Sequence, residues 1–550
     1  MGTLLWARSD AARVSGITKD AGGEKLYETT VTAHNVDSNT DLLTVSKADG
    51  TYVFPRLEPG NYEIKAAKDT LTSATAAKVT LSAGQNQQLD ITLAKPAKAD
   101  PSNAVDTKKQ GFWKRFTQAY ADDWKGSSES TQVPRRGYPN PTDNPPFPFT
   151  DWPYGGSPVI GTVDTSLFPL MQALYEGPHG DAWKRSRIKI YGWLNGGFNV
   201  SSSDRGKYAN APAAYYQLPD SVQLDQATLY IERVPDEAQT DHFDWGFRLT
   251  NLYGLDYRFT TAKGYFSNQL LGKNNTYGYD PVMAYVDLYF PHVAQGMNVR
   301  IGRYISLPDI EAQLAVNNYT YSHSLLYSFD AYTQTGINAT IKLSDRWMVQ
   351  VGVSAGNDVA PWTKDAKATL NVCGGYTWAD GGDNIYLCAN SINDGKYAYN
   401  NVQAYYATWY HKFGHTSWHT ATEAWYMYEK DVPSIFGTVP TETNGNGAWC
   451  PAGQQTCYAP EFAIVNYVEK QVSKSDFFTI RNEFFNDIRG QRTGYQNKYS
   501  EHLIGWSHFI GSTVILRPEL RYEHAYDNPA YDSGTKRSQF VFAADAIFRF

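Results

Sequence analysis

From residue 186 onward the chain is a succession of short segments in which apolar and polar side chains alternate. A period of two is the mark of a β-strand whose two faces meet different surroundings. In IKIYGWLNGGFNV, Ile188, Ile190, Leu194, Phe198 and Val200 alternate with Lys189, Tyr191, Trp193, Asn195 and Asn199. In TVILRPELRYE, Val514, Leu516, Pro518, Leu520 and Tyr522 form one face, and Arg517, Glu519, Arg521 and Glu523 the other. The pattern predicts sixteen strands, over 186–200, 221–234, 242–257, 281–290, 296–305, 331–343, 346–357, 367–378, 383–390, 399–412, 415–428, 460–471, 475–487, 498–509, 512–524 and 537–550. Four alternating charges on one strand face are costly in a dry core and reasonable against water.

The connections sharpen this reading. Those at 201–220, 258–280, 306–330, 358–366, 391–398, 429–459, 488–497 and 525–536 are long or moderately long. Those at 235–241, 291–295, 344–345, 379–382, 413–414, 472–474 and 510–511 are short, and the two kinds alternate strictly. A membrane-spanning barrel has this asymmetry, with tight turns at one end and elaborated loops at the other. Closure also removes the two unpaired edges of an open sheet, and barrels of 16–18 strands enclose an aqueous channel. The expected fold class is mainly β: an antiparallel transmembrane β-barrel of about sixteen strands with a small N-terminal β-sandwich.

Upstream the organisation changes. Residues 1–12 read as a tail, and MGTLLWARSDAARVSG lacks the basic and apolar regions of a secretory signal, so a signal was either removed or lies further upstream. Residues 13–94 hold short alternating segments at 29–36, 42–46, 51–54, 61–66 and 88–93. In ADGTYVFPRLEPGNYEIKA, Asp49-Gly50 and Pro59-Gly60 supply turns while Tyr52 and Phe54 point one way. This stretch resembles the carboxypeptidase regulatory-like β-sandwich module, which implies a non-catalytic spacer, periplasmic anchor or binding module. Residues 95–133 form a polar linker ending in an amphipathic helix at 111–126, with Phe112, Phe116, Ala119, Tyr120 and Trp124 on one side; it suits either a membrane surface or the following domain. Residues 134–185 lead into the barrel at 186–550, and eight prolines at 134–158 forbid ordinary helix and central strand there.

Composition excludes other classes. With 56 acidic and 49 basic residues the net charge is -7, which removes the electrostatic case for a nucleic-acid partner. Mean hydropathy is -0.49, and no run of eighteen apolar residues could span a bilayer as a helix. Aromatic residues make up 15% of the chain, against disorder over most of its length.

The four cysteines fall in two pairs. Cys373 and Cys388 flank the turn WADGGD symmetrically, and Cys450 and Cys457 bound CPAGQQTC. Disulfides are expected for both, implying an oxidising compartment; metal ligation is the rival reading, without the usual zinc spacing. His411, His415 and His419 have helical spacing but sit in a sequence that reads as a hairpin, so no metal site is expected there. No hydrolase elbow, phosphate-binding loop or HExxH motif is present, and neither an enzyme nor a cofactor is expected.

The last strand, QFVFAADAIFRF, sets Phe540, Phe542, Ala544, Ala546, Phe548 and Phe550 against Asp545 and Arg549. Its aromatic end, Phe550, resembles the C-terminal signal by which outer-membrane barrels are recognised for assembly, which makes the barrel assembly machinery an expected partner. Residues 145–550 resemble the OmpL-like β-barrel porins of Gram-negative bacteria. The resemblance rests on PPFPF…WPYGGSPVIG (145–161), IYGWLNGGFNVSSS (190–203), QLDQATLYIER (223–233), DWGFRLTNLYGLDYRFT (244–260), YVDLYFP (285–291), VRIGRYIS (299–306), YSHSLLYSFDAYTQTGINATIKLSDRW (321–347), LRPELRYEH (516–524) and KRSQFVFAADAIFRF (536–550).

The resemblance implies an outer-membrane channel without catalytic residues. The expected function is passive diffusion of ions or small hydrophilic solutes, in contact with outer-membrane lipid and with the N-terminal module periplasmic. A homotrimer and a periplasmic partner of residues 13–94 are further expectations. Alternatives are a closed structural, adhesin or assembly barrel, and a secreted carbohydrate-binding or degrading β protein. The strand facing places Glu232, Arg248, Asp287, Arg300, Glu423, Arg481, Glu483, Arg517, Glu519, Arg521, Asp545 and Arg549 in the lumen, with Arg303 joining them subject to a bulge in GRYIS. Connection 306–330, with a helical piece expected at 309–316, either folds inward to narrow the pore or caps it outside.

Overall fold

A computed structural model describes residues 12–94, 110–125 and 168–550, apart from 27–28, 37–39, 47–48, 58, 69–70, 74, 214, 238–241, 306, 345, 379–382, 414–417, 442–446 and 474. The chain start, linker residues 95–109, the proline-rich stretch 134–158, the centre of WADGGD and His415 lie outside the described residues.

The N-terminal domain is a nine-stranded sheet of β1 (Ala12–Asp20), β2 (Thr30–Asn35), β3 (Thr40–Val45), β4 (Thr51–Leu57), β5 (Gly60–Lys68), β6 (Leu71–Ser73), β7 (Ala77–Leu81), β8 (Asn86–Gln88) and β9 (Ile91–Ala94). Strand order is β3-β2-β5-β6-β9-β1-β4, with β7 on β5 and β8 on β1. The expected segment 88–93 is split into β8 and β9, which run parallel to different stretches of β1, Arg13–Ser15 and Thr18–Asp20. Val14, Val31, Tyr52, Phe54, Tyr62, Ile64 and Leu93 form its core, with the Tyr52 and Phe54 rings 6.1 Å apart, edge to face.

The second unit is a closed antiparallel barrel of sixteen strands. In order they are β10 (Ile188–Ser201), β11 (Val222–Arg233), β12 (Asp244–Gly254), β13 (Gly278–Phe290), β14 (Met297–Ile305), β15 (Thr333–Lys342), β16 (Trp347–Asn357) and β17 (Thr369–Thr377). Then follow β18 (Asp383–Ile392), β19 (Gln403–Lys412), β20 (Trp418–Pro433), β21 (Thr456–Gln471), β22 (Asp476–Asp487), β23 (Asn497–Ile510), β24 (Val514–Ala525) and β25 (Ser538–Arg549). Each pairs with its neighbours in sequence, and β10 closes on β25 from Trp193↔Arg549 to Ser201↔Val541. Beyond the last strand, Phe550 and Gly192 exchange backbone hydrogen bonds of 2.9 and 3.1 Å.

Side chains alternate as a barrel in lipid requires. Leu194, Phe198, Val200, Leu249, Leu520, Phe540, Phe542 and Phe548 are exposed on the outer face, whereas Asn195, Asn199, Arg521 and Asp545 are buried on the inner one. No helix among the described residues is long and apolar enough to cross a membrane, which says nothing of strands.

Register shifts occur in several strand pairs, and two irregularities bear on the lumen charges. The register of β13 on β12 shifts between Thr250 and Leu252. Gly302, at φ 137°, occupies backbone space that an L side chain rarely adopts, and Arg303 beyond it is buried three residues after buried Arg300. Disulfides join Cys373 to Cys388, directly opposed on β17 and β18, and Cys450, in the connection between β20 and β21, to Cys457 at the start of β21.

Candidate functional site

The thirteen charges assigned to the lumen by strand facing are all on the buried face, between 0% and 6% exposed. Most are paired across neighbouring strands. Glu232 and Arg248 stand opposite each other on β11 and β12, 2.7 Å apart; Asp287 and Arg300 do so on β13 and β14 at 2.8 Å. Arg517 pairs with Asp545 at 2.5 Å, and Arg303 with Asp280 at 2.8 Å. Arg481 and Arg521 share Glu501, at 2.9 and 3.8 Å, and Arg521 also reaches Glu523 at 2.6 Å. Arg549 is apart from these, donating to the Ser512 carbonyl at 3.1 Å with its guanidinium 4.5 Å from the Phe168 ring.

Segment 307–332, between β14 and β15, folds into the barrel, so of the two placements the inward one holds. Buried backbone groups need partners, and here the wall supplies them. Wall carboxylates collect the segment's amides. Ile310 N donates to Glu423 at 2.8 Å, Tyr321 N and Ser322 N donate to Glu519 at 3.0 and 3.1 Å, and Leu325 N and Leu326 N donate to Glu483, the first at 2.8 Å. Wall guanidinium groups collect its carbonyls. Arg481 donates to Ser322 O at 2.7 Å and His323 O at 3.2 Å, Arg517 to Ala315 O at 2.7 Å, and Arg521 to His323 O at 2.9 Å.

The helix expected at 309–316 is not formed. Amides of this stretch go to side chains: Ile310 to Glu423, and, in place of bonds along a helix, Ala312 to Asn318 Oδ1 and Ala315 to Gln226 Oε1. The regular pieces are a 3-10 turn at Ala315–Asn317 and one helical turn at Leu325–Ser328, capped by the Ser324 side chain.

Strand facing alone missed several partners. Glu501 follows the same period on β23, between buried Tyr499 and Leu503, and was legible there. Asp280 was not, because it lies beyond the register shift in β13. Asp309 and Asp330, at the two ends of the inward segment, meet Glu423 of β20 in a buried cluster whose candidate ligand atoms all lie within 4.8 Å of one another. The histidines scatter: His411 is on β19 and hydrogen-bonds Asp383 at 2.7 Å, while His419 is on β20 against Tyr319 at 2.5 Å. Outside the strands, burial pushes the Asp358 carboxyl up to about 6, despite hydrogen bonds from Thr333 N and Oγ1 at 2.8 and 3.0 Å.

At the short-turn end, α1 (Phe112–Lys125) docks on the barrel. Asp123 accepts from Ser512 N, Ser512 Oγ, Thr513 N and Thr513 Oγ1 at 2.7–3.1 Å, and Tyr120 Oη donates to Arg549 O at 2.8 Å. Arg115 of α1 donates to Ala173 O at 2.9 Å in α2 (Pro169–Tyr175). What α1 buries is Arg115 and Ala119; Trp124, expected on its apolar side, is half exposed.

A closed sixteen-strand barrel with an apolar outer face and a charged inner one defines an outer-membrane β-barrel of the porin type. Residues 187–550 match the family described as "Putative beta-barrel porin-2, OmpL-like", and residues 13–94 match the carboxypeptidase regulatory-like domain. The chain belongs to that OmpL-like porin family and carries the regulatory-like module in front of its barrel. No curated protein matches it.

Among solved structures, an anion-selective porin from Comamonas acidovorans is similar at 9% identity and TM-score 0.44, covering 66% of this chain and 99% of that one. A loop L8 deletion mutant of OmpT from Vibrio cholerae gives 10% identity and TM-score 0.42, over 66% and 99%. The outer-membrane channel DcaP of Acinetobacter baumannii gives 11% and 0.41, over 66% and 97%. Likenesses this distant say nothing of what passes through this barrel.

Proposed function

We propose that the protein is an outer-membrane channel for passive diffusion of ions or small hydrophilic solutes, constricted by segment 307–332, with its N-terminal module in the periplasm. The observation that carries the reading is the inner face: a barrel wall of fixed, paired charges such as Glu232–Arg248 and Asp287–Arg300 is the lining that sets ion preference in a pore. Both signs are present, so the direction of that preference is left to measurement. A second reading rests on the depth of burial at Arg481 and Arg521, both 0% exposed under the segment. In that reading the barrel is sealed at its waist and anchors the module.

Planar-bilayer conductance of detergent-purified, full-length protein under a salt gradient tests the proposal. Small reproducible steps, lost after boiling and enlarged when 309–330 is replaced by a short Gly-Ser linker, are the expected result. Folded, inserted protein that conducts only after that replacement establishes the sealed barrel. No steps from either form overturns both channel and plug.

A further inference from the structure

The Asp309–Asp330–Glu423 cluster stands apart from the paired charges of the wall. All three carboxylates are buried, at 1%, 4% and 0% exposure. Among the described residues none of them forms an ion pair within 4 Å, unlike Glu232, Asp287, Glu501 or Asp545.

Their hydrogen bonds use only two of their six oxygens. Glu423 Oε2 accepts from Ile310 N at 2.8 Å, and Asp330 Oδ1 accepts from Ala331 N and from the Tyr406 hydroxyl. Glu423 Oε1, Asp330 Oδ2 and both oxygens of Asp309 have no hydrogen-bond partner. Asp309 thus accepts from no N–H or O–H donor, and its carboxyl is buried against those of Asp330 and Glu423. Three carboxylates so placed are expensive to keep ionised: either they hold protons or a positive charge stands between them.

The spacing suits an ion. Calcium binds six to eight oxygens at about 2.3–2.6 Å, so two oxygens on one ion are at most roughly 5 Å apart. The three carboxylates meet that condition, with candidate ligand atoms within 4.8 Å of one another. All the ligand atoms are oxygen, which favours a hard cation over zinc or copper.

We propose that Asp309, Asp330 and Glu423 bind one divalent cation of the calcium class, which clasps both ends of the inward segment to strand β20. Two ligands come from the segment, 21 residues apart, and one from the wall, so a single ion closes the segment into a loop and pins it. The site does not depend on whether the barrel conducts.

The test is calcium binding by equilibrium dialysis on detergent-purified full-length protein stripped with EDTA, with folding verified by heat-modifiable gel mobility. Wild type is expected to take up one calcium per chain, and Asp309→Asn and Glu423→Gln to lose it. Terbium luminescence, excited through Tyr406, gives a second readout on wild type alone should a variant fail to fold: calcium should displace the signal. Folded wild type that binds no calcium or terbium at millimolar concentration overturns the proposal. So does uptake that is unchanged in folded variants, which would put the ion elsewhere, as on residual lipopolysaccharide.

Discussion

Arg481 shows how a wall charge and the inward segment depend on each other. Its guanidinium holds Glu501 at 2.9 Å, the Ser322 carbonyl at 2.7 Å, the His323 carbonyl at 3.2 Å and the Tyr467 hydroxyl at 3.1 Å. Arg481→Met keeps most of the volume and removes every one of these donors. Arg521 remains to Glu501, but only at 3.8 Å. Breaking a buried pair from one side costs about 3–5 kcal/mol. The expected outcome is a segment released from the wall: chymotrypsin should cut within 319–329, where wild type resists, while the barrel keeps its heat-modifiable mobility. Unchanged resistance would show that other contacts hold the segment. Gly197 makes the complementary point by absence of a side chain, since a Cβ there would stand 2.2 Å from the Tyr321 hydroxyl that bonds Asp225 and Gln223.

Between elements, most of the hydrogen bonds that dock α1 on the barrel go to one side chain. Asp123 gathers the hydrogen bonds of the turn between β23 and β24, and Gly511 leaves room for it, because a Cβ there would lie 2.1 Å from the Asp123 carboxylate. Asp123→Ala should free the helix without opening the barrel. Hydrogen exchange is then expected to rise across 112–125 and stay unchanged in β23 and β24; protection that persists would assign the docking to Arg115 and Tyr120. The aromatic stripe was legible in the sequence and meets the barrel through Tyr120 and Trp124, which donate to Arg549 O at 2.8 Å and Thr513 Oγ1 at 2.9 Å, whereas the part played by Asp123 was not. The strands were legible, because burial on one side and lipid on the other impose a period of two that survives without any tertiary knowledge. Arg303 sat at the edge of legibility, since Gly302 interrupts that period. An inward fold of the connection after β14 was one of two placements open in the sequence, but the path of segment 307–332 across the wall was not readable. Its backbone is bonded to wall side chains more than a hundred residues away, such as Glu423, Glu483 and Glu519, and no local pattern encodes those distances.

For the molecule as a whole, the even strand count bears on the periplasmic placement proposed for the N-terminal module. With sixteen strands, β10 begins and β25 ends at the same end of the barrel, and α1 is docked there beside Arg549 and the 511–513 turn. Only residues 95–109 separate α1 and its leading Gln110 from the last strand of the module. Fully extended, fifteen residues reach about 50 Å at roughly 3.3–3.6 Å each. That is enough to cross a hydrocarbon core of about 30 Å in length, but not in chemistry. A polar linker cannot run through lipid with its backbone groups unpaired, and the lumen is occupied by 307–332. Both constraints support the proposed placement of the module on the short-turn side, which in an outer-membrane barrel is the periplasmic one. Protease added to intact cells should leave residues 13–94 untouched while nicking the long connection 434–455 at the opposite end, and should reach the module only after the outer membrane is permeabilised. Cleavage within 13–94 before permeabilisation would reverse the orientation of the barrel or require the linker to cross it, and either outcome would remove the periplasmic placement on which the anchoring role of the module depends.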